Sequence, residues 1–226
     1  MNYLAKHRRM LIDSSMSEWL KTWEGIVATR GAYFQLGDLI QLDLGTIDGI
    51  NCGSVRMQKV AANEANAKSV WMAKDFLATA MKISDVNNND GGWGACDLRD
   101  WLNGAFLQAL PYGLPNAIVA MTRYARSYES GVYITNAQYT DKIFIPSVRE
   151  LNGTNSAATL GPTYRQFYPT QASRVKTLGI GGSTYRTWLR DVSSISGYFY
   201  GNGANGADGT GAPPTALGGI TLCFGL

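Results

Sequence analysis

Residues 184–226 hold the strongest constraint in the chain. The stretch opens on Tyr185-Arg186-Thr187-Trp188-Leu189-Arg190-Asp191, passes through Tyr198-Phe199-Tyr200 into a glycine-rich run over 201–209, and closes on Ile220-Thr221-Leu222-Cys223-Phe224. Its two ends read as strands, because β-branched and aromatic residues alternate there with small or polar ones. The middle reads as neither strand nor helix, since glycine loses more backbone freedom on ordering than any other residue. The expectation is a long irregular loop between two buried anchors. Such loops are usually functional or disordered. Tyr185, Trp188, Tyr198, Phe199 and Tyr200 argue against a disordered linker. Rigid aromatics among Ser, Gly and Asn are the composition of a binding surface. The alternative is that these aromatics are core and the glycine run is an ordinary surface loop.

The 226 residues suit one domain, or one domain with an appendage. A formal charge of +3 is mild, and no basic cluster is interleaved with aromatics, so a nucleic-acid surface has no support. Cys52, Cys96 and Cys223 are far apart with no paired spacing, which excludes a zinc ribbon or a redox pair. They read as buried thiols acting as small hydrophobes, with one disulfide plus one free thiol as the alternative. The single histidine is His7, so a triad or a histidine metal site has no candidate in the main domain. No catalytic residue, cofactor or metal ligand is assigned. No signal peptide and no membrane-spanning run is read, which implies synthesis in a cytoplasm.

Along the chain, residues 1–30 are set apart as a helical attachment or oligomerisation segment, and 33–226 as the ligand-binding domain. Ser15 and Glu18 fit a capping box, and Met16, Trp19, Leu20 and Trp23 fall on one helical face, with Gly25 as the stop. That face packs either on its own domain or on another chain. Strands are expected over 33–36, 38–42, 54–57 and 70–72, and a helix over 74–82 with Phe76, Leu77, Ala80 and Met81 inward. The run 85–91 resembles a calcium loop in composition. It lacks the glycine and the glutamate an EF-hand needs and reads as a polar turn, with an irregular calcium loop as the alternative. Leu98, Trp101, Leu102, Ala105 and Phe106 share one helical face, with Arg99 and Asn103 free to bond neighbouring loops. A strand over 141–147 runs into Val148-Arg149-Glu150-Leu151.

The series Gly92-Trp93, Cys96, Leu98-Arg99, Trp101-Leu102-Asn103 and Phe106, then Asp141-Lys142-Ile143-Phe144, Ser147 and Glu150, then Trp188-Leu189-Arg190 resembles one family. That family is a domain of unknown function found in phage tail and bacterial surface proteins. The likeness spans about residues 33–226. Cys96 stands where the family has Ser, Thr187 where it has Trp, and Asp191 where it has Ser. The resemblance implies an α+β, C-type-lectin-like domain, similar to the formylglycine-generating enzymes, with short helices around small antiparallel sheets and an added N-terminal helix. It also implies kinship with the variable proteins of diversity-generating retroelements, whose binding residues cluster near the C-terminus.

On this basis the chain is expected to be a receptor-binding or adhesin module of a virion, at a phage tail-fibre tip, without enzymatic activity. Its ligand is a host cell-surface protein or glycan. Its other partners are itself, by analogy as a homotrimer, and further virion proteins through residues 1–30. The expected ligand-binding residues are Tyr185, Trp188, Arg190, Asp191, Ser193, Ser194, Ser196, Tyr198, Tyr200, Asn202, Asn205 and Asp208. The aromatic faces stack or fill a pocket, and the polar groups orient. Two alternatives stand beside it: a structural tail or capsid decoration protein, and an enzyme of the formylglycine-generating type.

Overall fold

The structure is a computed structural model that describes residues 18–154, 156–195 and 197–226. It is α+β, with small antiparallel sheets and a few short helices. Five strands form the main sheet in the order β1-β2-β3-β10-β6: β1 (Leu39–Ile47), β2 (Ile50–Glu64), β3 (Ala67–Ala73), β10 (Cys223–Gly225) and β6 (Ile143–Phe144). Asp48 and Gly49 both take positive φ between β1 and β2, which suits a two-residue hairpin turn that follows the strand twist. A second sheet is the hairpin of β4 (Met121–Glu129) and β5 (Val132–Asp141). The third is β7 (Thr187–Val192), β8 (Phe199–Asn202) and β9 (Thr210–Ala212), with β8 in the centre.

The C-terminal end is the keystone of the main sheet. β10 pairs with β3 on one side and β6 on the other, and every residue from Ile220 to Leu226 is buried. Gly218 and Gly219 let this segment reach its place. A Cβ on Gly218 would strike the Trp188 indole, and one on Gly219 the Phe76 ring. The expected closing strand is present.

The helices are short. α1 (Trp23–Thr29) is capped by Thr22, whose Oγ1 accepts from Gly25 N at 3.2 Å. α2 (Asp97–Trp101) runs into a π-helical turn at Leu102–Phe106 and then α3 (Leu107–Ala109). α4 (Leu114–Ala117) is one turn. α5 (Val148–Asn152) starts with a full capping box of Ser147 and Glu150.

Several expectations need correction. Residues 33–36 are not a strand: they turn under the Lys59 ammonium, which donates to Gly31 O at 2.9 Å and Phe34 O at 2.6 Å. Residues 74–82 are not a helix. Long-range partners take their backbone groups: Phe76 N donates to Thr177 O at 2.8 Å, Leu77 N to Ile220 O at 3.2 Å and Ala78 N to Cys52 O at 3.0 Å. Phe76 and Leu77 are buried as expected, on an extended backbone. In the 97–109 segment the π turn at Gly104 adds a residue and shifts the buried stripe. Leu98, Leu102 and Phe106 are buried, Trp101 is half-buried, Ala105 is exposed, and Leu107 takes the inward place.

The N-terminal segment also differs. Ser15, Met16 and Ser17 lie outside the described residues. Glu18–Leu20 are helical, but the chain breaks before Thr22, and α1 begins where the single helix was expected to end. Gly25 lies inside α1, close against the Trp19 and Leu20 backbone. Trp23 is 4% exposed and packs on Trp71 and Phe224, with Nε1 donating to Gln41 O at 2.7 Å, whereas Trp19 is 41% exposed. The helix therefore packs by Trp23 and Ile26 on its own domain, and residues from Thr22 onward are continuous with the core.

Candidate functional site

The residues that carry the family likeness lock together inside the fold. Arg190 forms a two-pronged ion pair with Glu150, Nη1 to Oε2 at 2.7 Å and Nη2 to Oε1 at 2.6 Å, and its Nη1 also donates to Ile145 O at 2.6 Å. Burial pushes the Glu150 carboxyl up, but the charge and hydrogen bonds of Arg190, with Arg123 and the Ser147 N–H, hold it below the usual range. Arg123 lies 4.4 Å over Phe144 and pairs with Glu64, which the Tyr164 hydroxyl also reaches at 3.0 Å. Asp141 accepts from Trp93 Nε1 and Arg99 Nε, each at 2.8 Å. The Asn103 amide bonds the backbone at Lys142 and Ile143. Arg99 and Asn103 thus bond a neighbouring segment, as their place off the apolar face suggested. These motif side chains hold the sheets and helices in register, so the signature marks the scaffold.

Five of the twelve expected ligand residues are part of that interior, which corrects the expectation that they face solvent. Trp188, Arg190, Asp191, Ser193 and Asn202 are all buried. Trp188 Nε1 donates to Met81 O at 2.9 Å. Asp191 accepts from Val148 N at 2.6 Å and Arg126 N at 2.8 Å. Asn202 and Asn152 exchange amide bonds at 2.8 and 2.9 Å. Ser193 shapes the β7–β8 turn, its Oγ accepting from Ile195 N at 3.2 Å. The physical reason is the third sheet: β7, read from the sequence as a buried anchor, is covered on both faces along its whole length, and Asn202 closes the central strand β8.

The others divide between two ends of that sheet. Ser194 is exposed and Tyr198 half-exposed at the β7–β8 turn, with Tyr200 half-exposed one strand position on. Asn205 and Asp208 are exposed at the β8–β9 turn, and Tyr185 is half-buried just before β7. Four residues of β8 separate the two turns, roughly 13 Å at ~3.3 Å per residue. Asp208 pairs with the buried Arg174 at 2.7 Å, so it anchors its turn. Ser196 lies outside the described residues.

One end gathers more than was expected. The Arg126 guanidinium is held between two rings, 5.3 Å from Tyr133 and 5.1 Å from Tyr200. Tyr133 also packs on Tyr128 at 4.9 Å, and its hydroxyl donates to Ser194 O at 3.1 Å. The loop 85–91 joins them: Asn89 Nδ2 donates to Tyr198 O at 3.2 Å, Asp90 Oδ1 accepts from Ser130 N at 2.8 Å, and Gly91 N donates to Tyr128 O at 2.8 Å. Val132, Tyr133, Ile134 and Ile195 are exposed on this end. A cleft of about 290 Å³ adjoins it, with Val86, Asn88, Asp90 and Phe199 in its wall. Exposed aromatics and aliphatics on cross-tied loops form a pre-organised contact surface. Sequence reasoning missed the hairpin's share, although Ser130-Gly131, between Tyr128-Glu129 and Val132-Tyr133-Ile134, is a turn signal.

The cysteines offer no nucleophile. All three are free and buried. Burial pushes the Cys52 thiol up to about 11 and raises Cys96 and Cys223 further, so each stays protonated at neutral pH. Among the described residues, no three His, Cys, Asp or Glu side chains come together to hold a metal ion.

Lys176 is the unusual titrating group. It is buried, its ammonium donating to Ala73 O and Lys74 O and lying 4.8 Å over the Tyr168 ring. Burial lowers it to about 7, against the pull of the Asp75 carboxylate. The unfolded chain keeps a proton there that the folded chain sheds, so stability rises with pH from about 7. The trend reverses once unfolded thiols ionise near pH ~8.5. Urea denaturation between these limits should give a slope approaching ~1.4 kcal/mol per pH unit, and Lys176→Met should flatten it. An equal slope in that variant would assign the proton elsewhere.

Residues 67–213, well over half of the chain, match the domain of unknown function DUF6273. The chain belongs to the DUF6273 family. No characterised protein and no solved structure matches it. The DUF6273 match runs from β3 to β9 and takes in the motif residues and the three cross-tied loops, while β1, all of β2 with Glu64, and the closing β10 lie outside it. Among the described residues, no helix is long and apolar enough to cross a membrane.

Proposed function

We propose that this DUF6273 chain is a C-type-lectin-like binding module, a receptor-binding or adhesin domain at a phage tail-fibre tip, that holds a host-surface ligand on its loops. The observation that carries the reading is the surface at 85–91, 129–134, 193–195 and 197–198. Its aromatic and aliphatic side chains are exposed, yet their backbones are tied by bonds across three loops. That is the economy of a preformed binding surface, which orders little on contact. The lectin-like reading draws support from short helices around small sheets and from the central place of the C-terminal strand. The phage assignment rests on the motif resemblance.

The surface offers ring faces, hydroxyls and backbone groups; its guanidinium is already held between tyrosines, and its carboxylates, Asp85, Asp90 and Glu129, are engaged by Lys82, the Ser130 N–H and the Ser127 hydroxyl. Binding should therefore weaken little with salt, since screening acts on charges. The test is labelled protein on a panel of bacterial strains, on purified envelope proteins and on a glycan array. The native chain should bind a subset in both low and high salt. Tyr133→Ser with Ile195→Ser should reduce that binding at least tenfold with the melting temperature kept. Native binding by the double variant would remove this surface from the function.

A further inference from the structure

We propose that the outer edge of β5 pairs with the same strand of a second copy of this chain, joining two hairpins into one four-stranded antiparallel sheet. The opposite edge of the hairpin is sealed. Tyr124 O accepts from Arg190 Nη2 at 3.1 Å, Arg126 N donates to Asp191 Oδ1 at 2.8 Å, and Tyr128 O accepts from Gly91 N at 2.8 Å. The backbone groups of these three residues therefore point away from β5. Directly opposed residues in an antiparallel ladder share that character. Gln138 stands opposite Tyr124, and Tyr133 opposite Tyr128, so their N–H and C=O groups point out from the free edge of β5. Among the described residues nothing takes up those groups. Asn136 is engaged through its side chain, with Thr159 and Leu160, not through its backbone.

The strand also lacks the usual protections of an edge. Residues 132–140 carry no charge and no proline. Val132, Tyr133, Ile134, Thr135, Gln138 and Thr140 are exposed. The other long edge, β1, is guarded: its register shifts at Asp43 and Gly45, and the Trp23 indole occupies Gln41 O. Natural sheets guard such edges because an open one recruits another strand.

A second copy fits better than a foreign strand. β5 places two residues, Thr135 and Asn136, opposite Arg126 alone, a bulge that a regular strand would not follow. A two-fold axis at Thr135 and Asn136 matches the bulge to itself and sets Tyr133 of one copy against Gln138 of the other. Such a contact is self-complementary, and an uncharged strand meets itself without like-charge repulsion. The edge buries less than the ~800 Å² per partner of a standard interface. Association is therefore expected at a Kd on the order of 10–100 μM. The pairing uses backbone groups of β5, whose Tyr133 and Ile134 side chains belong to the proposed ligand surface, so it is read from the oligomeric state alone; it would present two binding surfaces on one particle.

Sedimentation velocity of the full chain over a rising concentration series tests this. The native chain should pass from monomer to dimer. Gln138→Pro removes an outward N–H that β4 does not use, a position where an edge strand tolerates proline, and should weaken dimerisation at least tenfold. Thr135→Lys and Thr135→Glu should each remain monomeric, and mixing the two should restore a dimer. This charge pair decides the matter if the proline variant fails to fold. A native chain that stays monomeric at several hundred micromolar overturns the proposal. So does association that persists unchanged in the folded Gln138→Pro or Thr135→Lys variant.

Discussion

Arg190→Met should lower the stability of the folded chain by about 3–5 kcal/mol, a large fraction of the ~5–15 kcal/mol that holds a domain folded. The cause is the carboxylate left behind. Glu150 is fully buried and takes both prongs of Arg190, and its remaining neighbour, Arg123, stands 3.9 Å away and is shared with Glu64. Without Arg190 the charge has no adequate partner in a low-dielectric interior. Tyr124 O and Ile145 O lose a donor in the same step. Pairing Arg190→Met with Glu150→Leu should recover part of the loss, since two apolar groups leave no orphaned charge. The pH dependence follows from Glu150, whose folded pKa is depressed. Its stabilisation is present above the ordinary carboxylate pKa of ~4.3 and is lost as pH falls through the lower folded value. Asp191, whose burial raises it, works in the opposite sense. Urea denaturation at neutral pH measures the effect, and a loss below ~1 kcal/mol for Arg190→Met would show that the pair is not a stabilising lock.

Local rules read the interior well where the partner is close in sequence. The apolar face of Leu98, Leu102 and Phe106 depends on neighbours a few residues away; the capping box of Ser147 and Glu150 obeys the same local rule but emerged only from the structure. What Glu150 binds is another matter. Arg190 lies 40 residues on, and no periodicity connects them; the family resemblance placed both in one motif set without saying that they touch. The segment 74–82 misled because Phe76, Leu77 and Met81 have helical spacing, while its backbone bonds run to Cys52, Thr177, Gly218 and Ile220. Tertiary partners overrode the pattern.

The site was half legible. Aromatics near the C-terminus were singled out as a binding surface, and the turn with Ser194 and Tyr198 does lie on the cross-tied end. The glycine run was taken as one loop, yet Gly201 and Asn202 close β8 and Thr210 opens β9. Two turns at opposite ends of a sheet cannot form one patch, which separates Asn205 and Asp208 from Tyr198. The hairpin residues Tyr128, Val132, Tyr133 and Ile134 join the turn only through the fold, 61 residues from Tyr133 to Ser194. Linear distance hid them.

The strand position of Phe199 separates folding from binding in a single experiment. Phe199 is 1% exposed and belongs to the main core, while Tyr198 and Tyr200 on either side of it are half-exposed. Alternate residues of an extended segment face opposite ways. Phe199→Ala should therefore cost about 3–5 kcal/mol, the lost burial plus the cavity it leaves beneath the β7–β8 turn. Tyr198→Ala with Tyr200→Ala should cost less. Tyr200 gives up its place against Arg126, a ring–cation contact of ~0.5–2 kcal/mol. The same double variant should abolish binding to whatever strain or glycan retains the native chain, because it removes both ring faces beside Tyr133. Phe199→Ala, measured at a temperature where it remains folded, should bind within a few-fold of native. If instead the tyrosines prove essential to folding while Phe199→Ala leaves stability untouched and binding lost, the β8 faces are assigned the wrong way round. The contact surface would then have to be sought at the β8–β9 turn, around Asn205 and Asp208.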